Sequence, residues 1–355
     1  MGDTKKYYKE IHLARGIGVL VVLLGHSFPD AEWGIFPHPF FQWIYDLCYA
    51  FHMPLFFVIS GFVMARRFFD ERCDFRRELT RKFKRLMIPY LFLSYLSLLP
   101  KILWNSYARN PVDVYSVWRV LLGKSPNGSL WYLYTLFIFS LMALCLWKLL
   151  GAGNEWGKQV CLIGIGVLFY ISDLLLGEEL LELVFLNRIC RYFLFYGLGM
   201  LAYRHYEKLK KLFCLCPGCL AFILLVILVR PYLSPEYLYL PGALLGIYAI
   251  LSIAFVLCQK DRDSSGRTTR FLEKCADYSY DIYIISYYIQ QGLRVLLYRQ
   301  IGMPYVIVLI IEFLGGFLGA VLISKYVVRK NAFLRTVIIG GEGAGQYNNG
   351  SIKKV

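Results

Sequence analysis

The chain has 355 residues, of which 58% are hydrophobic and 17% aromatic. That much apolar surface exceeds what one soluble core of this length can cover, and the aromatic content excludes a disordered or coiled-coil chain. The formal net charge is +15, and membrane topology with anionic headgroups accounts for it, so no nucleic-acid partner is expected.

Ten apolar segments follow in chain order: 11–29, 41–65, 88–104, 129–149, 159–176, 184–203, 213–230, 239–258, 279–298 and 304–326. Each has the length needed to cross roughly 30 Å of hydrocarbon, and lipid tolerates no open sheet edge, so each is expected to be a helix. The predicted fold is all-α: a polytopic integral membrane protein, a bundle of about ten transmembrane helices forming a single domain over 1–335. The first segment carries Arg15 and His26 and lacks a small-x-small cleavage site, which separates it from a signal peptide. With the N-terminus inside, the segments 1–10, 66–87, 148–158, 204–211, 260–274 and 325–355 hold 29 of the 39 Lys and Arg residues. The positive-inside rule then places both termini in the cytoplasm. Residues 336–355 read as a flexible cytoplasmic tail, Gly- and Asn-rich from Gly340 onward. No repeat of transporter type is evident.

Ionisable groups inside a span cost at least roughly 2.5–3.5 kcal/mol each, so those retained are the natural site candidates. Arg15 and His26 lie eleven positions apart on the first segment. That is about three turns, which puts both on one helix face about 16.5 Å apart along the axis. A fixed cation and a titratable base thus share a face; the bland alternative is a snorkelling arginine and a capping histidine. His52 lies in Phe51-His52-Met53-Pro54, where Pro54 frees a carbonyl near residue 50 and bends the helix beside the imidazole. A hydrogen-bonded core histidine is the competing reading.

The 66–87 loop carries nine cations and ends in Arg81-Lys82-Phe83-Lys84-Arg85, running into the third segment. Lys82 and Arg85 are three apart and share a face, which suits a phosphate-bearing ligand, though headgroup anchoring explains most of these charges equally well. Arg188 and Arg191 on the sixth segment, Asp281 on the ninth and Glu312 on the tenth are further in-membrane ions, with structural pairing as the default. The loop 105–128, with Asn105, Asn110 and Asn127 among aromatic residues, is either a sugar-recognising loop or a connector. Cys214, Cys216 and Cys219 include a CxxC spacing without a histidine or a second pair, so neither a metal nor a redox role is expected.

Several of these segments resemble the acyltransferase 3 family of membrane-bound acyltransferases, in particular its fucose 4-O-acetylase-like branch of sugar O-acetyltransferases. Arg15-Gly-Ile-Gly-Val-Leu-Val-Val-Leu-Leu-Gly-His26 matches that family's arginine, ten residues, then histidine. Phe51-His-Met-Pro-Leu-Phe-Phe-Val-Ile-Ser-Gly61 matches its second-helix signature. Arg85-Leu-Met-Ile-Pro-Tyr90 and Ser129-Leu-Trp-Tyr-Leu133 resemble its third-helix entry and its Leu-Trp-(Tyr/Phe)-Leu element. The similarity is dense over residues 8–90 and thinner beyond.

The resemblance implies a multi-pass plasma-membrane enzyme that moves an acyl group from acyl-CoA, usually acetyl-CoA, to a hydroxyl of a cell-surface or lipid-linked glycan. It makes His26 the essential histidine and Arg15 its partnered arginine. It sets the CoA phosphates at Lys82 and Arg85, where the family often has two arginines and this chain departs with a lysine. His52, Trp131, Arg188, Arg191 and Glu312 are the expected substrate-binding groups, and no metal is expected. Ser279-Tyr-Asp-Ile-Tyr-Ile-Ile-Ser286 resembles an element that commonly ends in histidine, and Ser286 stands there instead. Direct base catalysis and transient acylation of His26 both stay open, as do the sugar, the acyl chain and assembly into a homo-oligomer. Competing functions are a transporter or flippase, or a non-catalytic partner of a polysaccharide synthase.

Overall fold

The computed structural model describes residues 7–69, 73–103, 115–150, 155–183, 186–229, 235–260 and 266–341. Those residues contain helices and turns and no β-strand. In chain order the helices are α1 (Lys9–His26), α2 (Pro39–Phe69), α3 (Phe75–Lys82), α4 (Ile88–Leu103), α5 (Tyr115–Leu121), α6 (Trp131–Leu149), α7 (Glu155–Leu183) and α8 (Asn187–Arg204). They continue as α9 (Tyr206–Leu209), α10 (Leu215–Leu228), α11 (Pro235–Lys260), α12 (Arg267–Asp277), α13 (Ser279–Leu293), α14 (Tyr305–Ile323) and α15 (Ala332–Ile339). Wider π turns occupy Phe83–Met87, Arg294–Gln300 and Ser324–Val328.

Among the described residues, each of the ten predicted segments falls mainly on one of these helices. Five stretches are long and apolar enough to cross a membrane: Pro39–Phe69, Trp131–Leu149, Trp156–Leu176, Tyr239–Lys260 and Tyr305–Val328. The others are too short or too charged to meet that measure by themselves. Thus α10 has 14 residues and α4 has 16, while α1 carries Lys9, Glu10 and Arg15. Long apolar helices whose sides stay uncovered need a hydrocarbon solvent. On α7 and α14, Leu168, Leu175, Leu318 and Leu322 are all exposed.

The chain forms two compact units, one of residues 1–59 and 202–321, the other of residues 60–201 and 322–355. In the first, α1 is the central element, packing on α11, α12 and α13. It buries Leu13, Gly16, Val19 and Leu23, the i, i+3, i+6, i+10 stripe of one face. Gly16 permits the closest approach: a Cβ there would lie 2.3 Å from the Leu272 carbonyl oxygen of α12. Gly218 does the same where α10 meets α11, 2.5 Å from Ser252 Cβ. Small residues at such crossings let backbones come together where no hydrophobic drive favours helix association.

In the second unit a Cβ at Gly61 would lie 2.0 Å from the Tyr196 carbonyl oxygen, so α2 rests directly on the backbone of α8. Phe139, Phe193 and Tyr196 form the buried aromatic centre, with ring centroids 5.1 Å (Phe139–Phe193) and 5.6 Å (Phe139–Tyr196) apart. Phe68 stacks on Trp147 at 4.4 Å. The C-terminal helix α15 packs on α4 and ends at Gly340, whose φ of 76° requires glycine. Residues 336–339 of the expected tail belong to α15; residues 342–355 lie outside the described residues, as do Asn105 and Asn110.

Candidate active site

In the first unit, α1 ends at His26. A helix end leaves carbonyls without intrahelical partners, and α13 supplies them here. Gln290 Nε2 donates to the Leu23 carbonyl at 3.0 Å and to Ser27 Oγ at 2.8 Å. Ser27 Oγ itself donates back to the Leu23 carbonyl at 2.7 Å. Four residues beyond Gln290, Arg294 Nη2 donates to the His26 carbonyl at 2.6 Å.

Arg294 opens the π turn that follows α13 and is 4% exposed. Its guanidinium forks onto Glu312 of α14, Nη2 to Oε2 at 2.9 Å and Nε to Oε1 at 3.4 Å. Glu312 is fully buried, so this pair exists only because the fork matches the carboxylate. Glu32, on the short 3-10 turn after α1 (Ala31–Trp33), lies 3.6 Å from Arg294 Nη1. Its Oε1 also accepts from Tyr287 Oη at 3.0 Å and from Gln291 Nε2. Tyr287, Gln290, Gln291 and Arg294 follow helical spacing, so α13 turns one polar face to the end of α1.

The His26 ring sits between two tyrosines. Nδ1 contacts Tyr49 Oη at 3.3 Å, and the ring meets the edge of Tyr287 at a centroid distance of 5.7 Å. Tyr49 stacks on Tyr45 at 4.1 Å and is hydrogen-bonded to it. On its other side Tyr49 meets His52 edge-on at 4.7 Å. The His52 Nδ1–H donates to the Cys48 carbonyl at 2.7 Å, one turn back along α2, which leaves its Nε2 as the unprotonated nitrogen. So His26 and His52 flank the same tyrosine. α2 continues through Pro54 to Phe69.

Arg15 lies nearer the other end of α1 and has different partners. Its Nη2 donates to His12 Nδ1 at 3.0 Å, and His12 Nε2 lies 3.1 Å from Asp277 Oδ1 on α12. A guanidinium has no acceptor, so His12 Nδ1 must be the lone-pair nitrogen and Nε2–H points to Asp277. Lys9 pairs with Glu273 at 3.4 Å beside it. Arg15 is therefore part of an α1–α12 polar seam, while His26 is held by α2 and α13.

Lys82, Arg85, Trp131, Arg188, Arg191 and Asn127 lie in the second unit. Lys82 ends α3 and Arg85 sits in the π turn Phe83–Met87, a geometry common at functional sites. Glu78 is buried between Arg67, at 3.4 Å, and Arg81. Burial pushes the Lys82 ammonium down to about 8, with Glu78 opposing that shift and Arg85 and Arg67 adding to it. A Cβ at Gly340 would lie 2.5 Å from Arg85 Cα, so the end of α15 braces this turn. Trp131 opens α6, with the Arg188 guanidinium 4.4 Å over its ring and Tyr192 at 5.2 Å. Arg191 Nε pairs with Asp173 Oδ2 at 2.9 Å, the partner that the sequence did not assign. Asn127 is committed to a turn, accepting from Ser129 N at 2.9 Å and Ser129 Oγ at 2.7 Å.

Sequence reasoning missed Tyr49, Glu32, Tyr287, Gln290, Gln291 and Arg294. An arginine inside the predicted 279–298 segment was the available signal, strengthened by polar residues at 287, 290 and 291 on the same face.

No curated protein and no solved structure is matched by this chain. A family model described as an acyltransferase domain matches residues 8–329, a stretch that takes in Arg15, His26, the 51–61 segment and the Arg294–Glu312 pair. The chain belongs to this family, the acyltransferase 3 family, and is a membrane acyltransferase.

Proposed function

We propose that the protein is a multi-pass plasma-membrane O-acyltransferase, of the fucose 4-O-acetylase-like kind, that moves an acetyl group from acetyl-CoA to a glycan hydroxyl. The observation that carries this reading is the His26 ring, packed between Tyr49 and Tyr287 at the end of a helix whose Leu23 and His26 carbonyls are held by Gln290 and Arg294. With the Tyr49 proton given to Tyr45, Tyr49 Oη accepts from the His26 Nδ1–H, and the Nε2 lone pair is left for the acceptor. Imidazole has the right basicity for this work near neutral pH. Nε2 takes the proton of the sugar hydroxyl as that oxygen attacks the thioester carbonyl. The C–S bond then breaks, and the departing thiolate takes the proton back from His26. Lys82 at the end of α3 and Arg85 in the π turn that follows it are assigned to the phosphates of the donor. Both termini are assigned to the cytoplasm.

The test is glycan acetylation in cells expressing His26→Ala at normal membrane levels, together with turnover of labelled acetyl-CoA by the purified protein. Loss of both is the expected result. Undiminished acetylation by the variant removes His26 from the catalytic role, and proton-coupled flux without any acetyl-CoA turnover replaces the enzyme by a carrier.

A further inference from the structure

The acyl-transfer reading makes no use of the buried charge of Arg294. Arg294 touches no reacting atom in it, yet this guanidinium is the point at which α13, α14, the 3-10 turn at Ala31–Trp33 and the end of α1 are tied together. Its bond to the His26 carbonyl, at 2.6 Å, reaches the backbone of the base itself rather than a neighbour. Gln290 holds the carbonyl three residues earlier, so the two side chains together grip the last turn of α1.

That turn would otherwise be the loosest part of the helix. The backbone N–H of Ser27 closes only a short bond to the Leu24 carbonyl, and the chain then leaves helical geometry. A frayed last turn lets the Cα of residue 26 shift and the imidazole with it. Arg294 prevents this because Glu312, fully buried on the neighbouring helix, fixes the guanidinium in two dimensions through the fork. Glu32 and Tyr287 close the other side of the same cluster, and the Tyr287 ring is also the one that packs on His26.

We propose that Arg294 is a positioning residue for His26, holding the last turn of α1 so that the imidazole faces the acceptor hydroxyl, with Glu312 as the counterion that orients the guanidinium. This rests on the reading of His26 as the base. A lysine cannot replace it, since an ammonium lacks the fork that reaches the carboxylate and the carbonyl together.

The experiment uses the purified full chain in detergent and two variants, Arg294→Lys and the charge-neutral double variant Arg294→Gln/Glu312→Gln, which leaves no unpaired buried ion. Two readouts are taken. The first is the rate at which diethyl pyrocarbonate carbethoxylates His26, followed by peptide mass spectrometry and normalised to the exposed His38. It needs no activity. The second is kcat and KM for acetyl-CoA. Loss of a charged hydrogen bond that holds the turn is expected to raise the His26 modification rate about tenfold in the double variant. A displaced base is expected to lower kcat by about 10- to 100-fold with little change in KM. Arg294→Lys, which keeps the cation near Glu312, should fall between the two and serves where the double variant does not accumulate.

Unchanged His26 modification overturns the proposal, even if kcat falls, because the role is then structural in general. Unchanged kcat with faster modification overturns it as well. If His26→Ala retains full turnover, the reading of His26 as the base fails instead, and the modification rate still reports whether Arg294 holds the turn.

Discussion

Replacing Glu312 by glutamine keeps the side chain's shape and removes its charge, leaving the guanidinium of Arg294 without its main counterion. Both partners are almost wholly buried, at 0% and 4% exposed. Breaking such a pair from one side costs about 3–5 kcal/mol, because an uncompensated charge stays in a medium that solvates it poorly. Glu32 offsets little of this, since it is half-exposed and 3.6 Å away, and such pairs contribute about 0–1 kcal/mol. Arg294→Gln should cost a similar amount or somewhat more, as it also frees the His26 carbonyl. The double variant removes both charges together and loses chiefly the charge-assisted bond to the His26 carbonyl, about 1.5–3 kcal/mol, so its cost should be about 2–3 kcal/mol. The two single costs added together therefore exceed the double by about 3 kcal/mol or more, a coupling at the upper end of what contacting residues show. Thermal unfolding in detergent, followed by tryptophan fluorescence, measures this. At about 2 °C per kcal/mol for a chain of this size, each single variant should melt about 6–10 °C lower and the double variant about 4–6 °C lower. Additive single and double effects would refute the reasoning, because they would show that the two groups do not compensate one another.

Gly16→Ala places a methyl 2.3 Å from the Leu272 carbonyl oxygen, so α1 and α12 must separate; the expected loss is about 1–3 kcal/mol, read as reduced folded protein in the membrane. Gly18→Ala, 3.0 Å from the movable Leu55 Cδ2, should cost less in the same assay. Tyr49→Phe keeps the stack on Tyr45 and removes the hydroxyl at Nδ1 of His26; one hydrogen bond of about 0.5–1.5 kcal/mol predicts a two- to roughly tenfold fall in kcat. The Lys82 ammonium is depressed to about 8, so it is charged below that pH and neutral above it. Affinity for CoA, measured by calorimetry, should weaken as pH rises through about 8, and Lys82→Arg should flatten that dependence; an unchanged slope in the variant removes Lys82 from the phosphate contacts.

Much of the architecture was legible because it depends on local quantities. A run of some twenty apolar residues has one stable form in lipid, and among the described residues every predicted segment lies mainly on a helix. His26 was legible for the same kind of reason, since an ionisable group on an apolar helix announces itself against its background. Arg294 was equally anomalous in its segment, but its worth lay in what stands opposite, and spacing along one helix carries no information about that. The eleven-residue interval put Arg15 and His26 on one face of α1 and said nothing of the partners each would find. Those partners differ: His12 and Asp277 for the arginine, Tyr49 and Tyr287 for the histidine.

By itself, then, the amino-acid sequence determined the helices, their apolar character and the two residues that stand out on α1, since helix period and transfer free energy act within a segment. Only the tertiary structure decided which ions neutralise one another and what grips the end of α1. A buried charge is stabilised by whichever opposite charge packing brings within hydrogen-bond reach. Here Glu312 meets Arg294 from 18 positions away along the chain, and Arg294 meets the His26 carbonyl from 268.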